Sequence, residues 1–386
     1  MKKIITLSLF SSLSLFATNG DNLIGYGSKS RALGGTGIAN FLGSSNIFSN
    51  PALISETKND ELDIGVTYFT PTIKTNETKS KADKNFIPHF AYSKSLDNNL
   101  YFGLGLFGSA GMGVDFRNSQ NPSLWDARTN LLLLKIAPTL AYKNEDFSFG
   151  ISPLIQYGEL NISYIDPTNT PNGLGKSDDL GFGYKLGTAY NITPNLKIGA
   201  TYQSSIKLEY KNTLSTASAP FVNFGLISST FSNKLEQPEE YGVGLSYDIN
   251  NFTFSTDYKK IKWQSATGYK DFGWNNQDVY SLGIKYEENG TWYGIGYNYS
   301  KNPITNYAGI TSTQQVLNTF NYIFFPATQE KHFTFGAGTT LSKNLSFDFG
   351  FIYAPKNSIT TTGLNGSSIK VSHSENSATL GFKYKF

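Results

Sequence analysis

Cysteine is absent from this chain and methionine occurs only twice. An exported protein without thiols has no disulfide staples, and thiol catalysis is excluded. Histidine is almost as scarce, with His89, His332 and His373 the three occurrences. No His-x-x-x-His pair and no Gly-x-Ser-x-Gly elbow accompanies them. Ser372 and Ser374 flank His373, but neighbours in a strand face opposite sides and form no catalytic pair. The chain is therefore expected to be no enzyme and to carry no cofactor or metal. Net charge is also small, with 32 Lys+Arg against 29 Asp+Glu, and nothing in it suggests a nucleic-acid partner. Long apolar runs are missing past the leader. Leu131 to Leu134 is the most apolar stretch, and Lys135 cuts it. Mean hydropathy is −0.29, which excludes a bundle of membrane helices but not a barrel, where only alternate residues meet lipid.

The leader has the order of an export signal. Lys2 and Lys3 supply positive charge, Ile4 to Phe16 forms a short apolar core, and Ala17 is a small residue suited to cleavage. Residues 1–17 are read as a signal peptide and the mature chain as starting near Thr18. The stretch is too short to span a bilayer.

Aromatics and glycine are abundant, with 29 Phe, 24 Tyr and 37 Gly. From Glu61 onward they fall into a period of two. Ala378, Leu380, Phe382, Tyr384 and Phe386 share one face of a strand, opposite Thr379, Gly381, Lys383 and Lys385. The same alternation runs through Leu345–Tyr353, Phe333–Leu341, Tyr280–Tyr286, Tyr241–Ile249 and Leu180–Tyr190. A soluble sandwich alternates too, but with shorter strands and a more charged polar face. Short Asn/Asp/Gly/Pro turns recur at 97–99, 143–146, 193–195, 248–251, 287–290 and 342–344. Longer polar connectors alternate with them, near 72–85, 115–127, 166–179, 211–237, 265–277, 301–329 and 355–372. Seven long and six short connections give fourteen antiparallel strands, an all-β transmembrane barrel over residues 60–386 with short turns in the periplasm. The terminal Phe386 resembles the assembly signal read by the barrel assembly machinery. Outer-membrane lipid and lipopolysaccharide are the expected surroundings.

Fourteen strands enclose a lumen wide enough to leak unless something fills it. Residues 18–59 belong to no strand and are expected to form an N-terminal plug inside the barrel. Their glycines allow compact backbone, and Ile24, Leu33, Ile38, Leu42, Ile47 and Phe48 argue against a disordered linker. Ser30–Leu33 is expected to form one helical turn. Asn50-Pro51-Ala52 places a capping residue before a proline, predicting a short helix through Ala52–Ser55.

A glycine-rich N-terminal segment, then "SNPALI", then the alternating strand "ELDIGVTYF" resembles the FadL/TodX family of outer-membrane transporters. The resemblance continues through "NNLYFGLGLFGSAGMGVDF" in the third strand and "KLEQPEEYGVGLSYDI" in the eighth, and so covers essentially the whole mature chain. It implies uptake of long-chain fatty acids or aromatic hydrocarbons, a ligand bound inside the barrel against the plug, plug movement, a lateral opening at a kink in the third strand, and a monomer. The stretch matching that kink is Gly108-Ser109-Ala110-Gly111-Met112-Gly113. Glycines in a strand interior favour a local break, although ordinary barrel curvature uses them as well. A ligand carboxylate needs a cation or several donors. Arg31 in the plug, and Arg128, Lys135, Lys185 and His332 on lumen faces, are candidates. Arg128 and Arg117 fit the outer rim equally well, and each of these charges also suits a solvated or paired structural role. Phe41 and Phe107 are candidate apolar contacts. The alternatives are a general porin for polar solutes and a structural or adhesin barrel.

Overall fold

A computed structural model describes residues 19–386 with the exception of Pro167, so the expected signal peptide lies outside the described residues. Fourteen long strands form one antiparallel sheet in sequence order: β1 Glu61–Thr75, β2 Asn85–Ser95, β3 Leu100–Asp115, β4 Arg128–Asn144, β5 Phe147–Ile165, β6 Pro171–Thr193, β7 Leu196–Gln203, β8 Glu240–Ile249, β9 Phe252–Ile261, β10 Gln277–Glu288, β11 Thr291–Ser300, β12 Lys331–Thr340, β13 Leu345–Thr362 and β14 Ser368–Lys385. A two-residue strand, Thr78–Lys79, folds back on the end of β1. The sheet closes because β1 also pairs with β14, from Glu61↔Lys385 to Thr75↔Val371. Among the described residues no helix is long and apolar enough to cross a membrane.

Alternation decides the two faces. Leu380, Phe382 and Tyr384 point outward, as do Phe333, Phe335, Tyr280, Leu282 and Ile284, whereas Ser281, Thr379 and Lys383 are buried inside. Outward tyrosines stack across neighbouring strands at the loop end, Tyr184–Tyr202 at 5.8 Å and Tyr202–Tyr241 at 5.5 Å between centroids. Phe386 packs on Tyr384 and Tyr92 at the turn end. Such aromatic girdles mark the two membrane interfaces.

Two of the long connectors expected from the sequence are mostly strand. The β5–β6 ladder continues to Ile165↔Pro171 and the β13–β14 ladder to Thr362↔Ser368, leaving tight turns where residues 166–179 and 355–372 read as loops. Above the lipid both faces meet water, so apolar alternation disappears while the backbone still pairs. The first connector is shortened likewise, since β1 runs on to Thr75.

Residues 19–57 fold inside the cylinder. They carry helix α1 Gly27–Ala32, helix α2 Asn46–Ser49 and a 3₁₀ helix Pro51–Glu56. Their polar anchors reach the wall in every direction. Arg31 donates to Ser377 and Thr379 on β14 at 2.8 and 3.1 Å. Gly34 N–H meets Thr334 on β12, and the Gly37 and Ile38 N–H groups share one Asp257 oxygen on β9. Ser44 N–H reaches Glu61 on β1. The Asn50 side chain accepts from Ala52 N–H, capping the 3₁₀ helix, and donates to Ile38 O and to Thr188 O on β6. That helix lies so close to β5 and β6 that a side chain at Gly150 would collide with the Pro51–Ala52 backbone, and one at Gly187 with Asn50.

Leu282 sits near the middle of β10 facing lipid; Leu282→Arg should cost about 2–4 kcal/mol of folding free energy, read by urea titration in phospholipid vesicles. Gly150→Val should leave the barrel folded, shown by a heat-modifiable band on gels. It should also displace the 3₁₀ helix, read as increased conductance in planar bilayers. Unchanged conductance would mean that the helix does not seal the lumen.

Candidate functional site

At the loop end, three connections fold over the mouth and bury their aromatics together. The β7–β8 connection carries helix α3 Thr213–Asn223. The β11–β12 connection carries helix α4 Ser312–Thr319, capped by the Thr311 side chain accepting from Gln314 N–H, and then a π turn Phe320–Phe324. The β9–β10 connection supplies Trp263, Tyr269, Phe272 and Trp274. The rings interlock edge to face, with Phe231–Phe320 at 4.9 Å, Phe320–Phe324 at 5.0 Å and Trp263–Trp274 at 5.1 Å. Asn321 ties two of these connections. Its side-chain oxygen accepts from Trp274 Nε1 at 2.8 Å and its amide donates to Phe272 O and Leu317 O.

Within this cluster lies a small apolar chamber, a void of about 20 Å³ with room for about one water, lined by Met112, Leu214, Leu235, Tyr269, Phe272, Trp274, Phe320, Asn321 and Phe325. The start of the N-terminal segment lies behind two of these lining residues, Trp274 and Tyr269. Asn19 and Asn22 pair as a tight turn, and Gly20 at its tip, with φ +70°, lies so close to Trp263 and Trp274 that no side chain would fit there. Asp21 is wholly buried; its carboxylate accepts the Tyr269 hydroxyl and Gln237 Nε2. Burial pushes its pKa up to about 6, against the two hydrogen bonds that hold it down.

The same turn lies against β3 where that strand breaks register. The β3–β4 ladder shifts between Gly108 and Ala110, so Ser109 is the extra residue. Leu23 N–H donates to Ser109 O, Gly111 N–H donates to Asp21 O at 3.0 Å, and Asn22 bridges to Ala110. The chain from 19 to 23 therefore covers the bulge from inside. Met112, two residues past Ala110, lines the chamber.

The candidates taken from the sequence fall at several levels. Phe107 and Lys135 are register partners on β3 and β4 and both are buried. Phe107 packs on Phe48 at 4.4 Å and on Tyr26, both in the N-terminal segment. Lys135 donates to Gln203 at 3.3 Å. Arg31 donates to β14 through Nε and Nη2, while its buried Nη1 has no hydrogen-bond partner. Phe41 is half-buried at the turn end, near Glu56, Lys58 and Lys143. Arg128 begins β4 at the loop end opposite Asp115, whose carboxylate is held by Arg117 at 2.6 Å. Asn50, Pro51 and Ala52 form the wedge against β5 and β6. Lys185 and His332 are buried on the inner face, away from the chamber lining. Sequence reasoning missed the loop aromatics. The dense stretches "WQSATGYKDFGW" and "TFNYIFF", set in otherwise polar connectors, are the signal that marks them.

Comparison with known proteins adds a family to this geometry. Residues 16–386 match the family described as outer membrane protein transport protein (OMPP1/FadL/TodX). The long-chain fatty acid transport protein of Escherichia coli O6:H1 is 20% identical over 321 residues, covering 67% of this chain and 72% of that one. Outer membrane protein P1 of Haemophilus influenzae is 21% identical over 423 residues, covering 92% and 90%. Among solved structures, the Pseudomonas putida toluene transporter TodX superposes with a TM-score of 0.70 at 20% identity, covering 96% of this chain and all of its own. A Pseudomonas aeruginosa FadL homologue gives 0.71 at 14% identity, covering 97% and 100%. At these identities the structures speak for the fold, while the match over nearly the full length speaks for descent. This chain, a Gram-negative outer-membrane β-barrel, belongs to the OMPP1/FadL/TodX family of transport proteins.

Proposed function

We propose that the chain carries small hydrophobic molecules, long-chain fatty acids or aromatic hydrocarbons, through the outer membrane by way of the loop-end chamber and the β3 bulge. One observation supports this reading above the others: the turn at 19–23 covers the bulge from inside and also packs on the loop aromatics, Gly20 against Trp263 and Trp274 and Asp21 against Tyr269. A molecule entering among Trp274, Phe320 and Met112 has to spread the loop aromatics apart, and through Trp274 and Tyr269 this displaces the segment that holds Ser109 and Gly111. Shifting that segment uncovers the break in the wall, and the molecule leaves sideways into the membrane rather than through the lumen below. That lumen is polar, lined by Lys135, Lys185, Asp257, His332 and Asp348, and filled by residues 19–57. An oily solute has no reason to enter it.

Each Å² of apolar surface buried in the chamber contributes about 25 cal/mol, which drives capture. Release follows the concentration gradient, since the next apolar phase is the membrane itself. In this reading residues 1–17 are a leader, 18–59 are the plug, Phe386 addresses the assembly machinery, and the working unit is a monomer in lipopolysaccharide-bearing membrane.

Removing residues 18–59 should raise single-channel conductance sharply in planar bilayers; a barrel that stays closed would count against plugging. Deleting Ser109 should restore an unbroken β3–β4 register. Cells expressing that variant should lose uptake of both labelled toluene and labelled oleate while the barrel still assembles. Uptake at the wild-type rate would show that the bulge is not the exit.

A further inference from the structure

Two of the three histidines meet at one carboxylate inside the barrel. His373 and Glu375 on β14 and His332 on β12 are all buried on the inner face. His373 Nε2 lies 3.1 Å from one Glu375 oxygen, and His332 Nε2 lies 3.6 Å from the other. Neither contact is aligned as a hydrogen bond, and both Nδ1 atoms lack a partner as well. Among the described residues no group of side chains converges as a metal site would require. Buried polar atoms left so incompletely satisfied call for a physical account.

The N-terminal segment is fastened to the same patch of wall. Arg31 of α1 donates to Ser377 and Thr379, the inward residues of β14 that follow Glu375, and its Nη1 is buried without a hydrogen-bond partner. Glu375 is the acid whose charge favours that guanidinium. Thr334, the inward residue of β12 that follows His332, accepts Gly34 N–H and donates to Ala32 O. From the loop end, Gln329 Nε2 donates to the His373 carbonyl. No other charge faces the cluster unanswered. Opposite it on β1, β11 and β13 stand Pro71, Ile73, Asn298, Ala354 and Asn357, none of them titratable. Glu330 accepts Asn302 N–H, Lys29 faces Asp348, and the π turn brings only the buried phenol of Tyr322.

Charge here balances only while both rings are neutral, with Arg31 positive and Glu375 negative. One added proton is shared with the carboxylate as an imidazolium–carboxylate pair. A second finds no acid left to answer it, and repulsion between like charges is strong in a buried space. The guanidinium is the member that can leave, because a short helix carries it rather than the wall. His89 shows the contrast. Its ring meets Asp63 at 3.3 Å, with Glu61 and Asp348 grouped there around Lys383, so a proton on His89 is answered. Resting on the reading of residues 18–59 as a plug, we propose that His332, Glu375 and His373 form an acid-sensitive latch. Protons on both histidines drive Arg31 off β14, the stretch from α1 to Gly34 loosens from the wall, and the bore opens.

The test follows the conductance of the full-length barrel in planar bilayers between about pH 8 and about pH 5, the interval in which histidines change charge. Wild-type conductance should rise about tenfold or more in acid and fall back on return to neutral pH. With His332→Gln and His373→Gln together, both proton acceptors are gone and the rise should disappear. If that pair yields no heat-modifiable barrel, either single variant, short of the second proton, should lose most of the rise. The barrel lacking residues 18–59 should conduct well at every pH. A wild type whose conductance ignores pH, or an acid response that survives loss of the histidines, would overturn the latch, and an open deletion barrel would show that the plug reading stands nonetheless. A deletion barrel as closed as the wild type would overturn the plug reading and the latch with it.

Discussion

A strand inside a lipid bilayer has no water to satisfy its backbone, so its N–H and C=O groups must find partners in other strands. Ring closure between β1 and β14 meets that demand, and the rest of the molecule depends on it. Once the sheet is closed, side chains have two environments, and alternation sorts them. Closure also fixes the bore, and at fourteen strands the bore is too wide for wall side chains to fill by themselves. The chain answers with its own N-terminal residues.

Filling a charged, polar bore with backbone calls for polar partners. The wall supplies them from β1, β6, β9, β12 and β14, one anchor at a time, through Glu61, Thr188 O, Asp257, Thr334 and the Ser377–Thr379 pair. The segment is thereby held at many points by bonds of modest individual strength. Its leading turn differs from the rest. There the anchor is the interrupted edge of β3 and the neighbouring surface is aromatic, so the part of the segment that meets the chamber is also the part that finishes the wall.

The barrel is legible in the sequence because lipid imposes a strict rule on alternate residues, and Leu380–Phe386 or Tyr241–Ile249 obey it without exception. Where lipid ends the rule ends, which is why the paired ends of β5, β6, β13 and β14 read as loops. The capped turn at Asn50-Pro51 was readable from local chemistry. The contacts of the 3₁₀ helix with Gly150 and Gly187 were not, since nothing local says which glycines face which part of the N-terminal segment. For the chamber, a search guided by a ligand carboxylate turns to Arg31, Arg128 and Lys135. The chamber is built instead from aromatics on three connections, and no periodicity brings Trp274, Phe320 and Leu214 together. Asp21 gave no signal at all beyond its place in a polar tetrapeptide.

The anchor between Arg31 and Ser377 joins residues 346 positions apart. The stretch that leaves the ribosome first thus acquires its final neighbours last, after the closing strand has been laid down. Long-range contacts of this kind repay their loop-closure entropy late, so maturation is slow and strongly ordered. An assembly intermediate would hold a nearly complete ring with an unoccupied interior, and the last event would be threading the chain's own beginning into it.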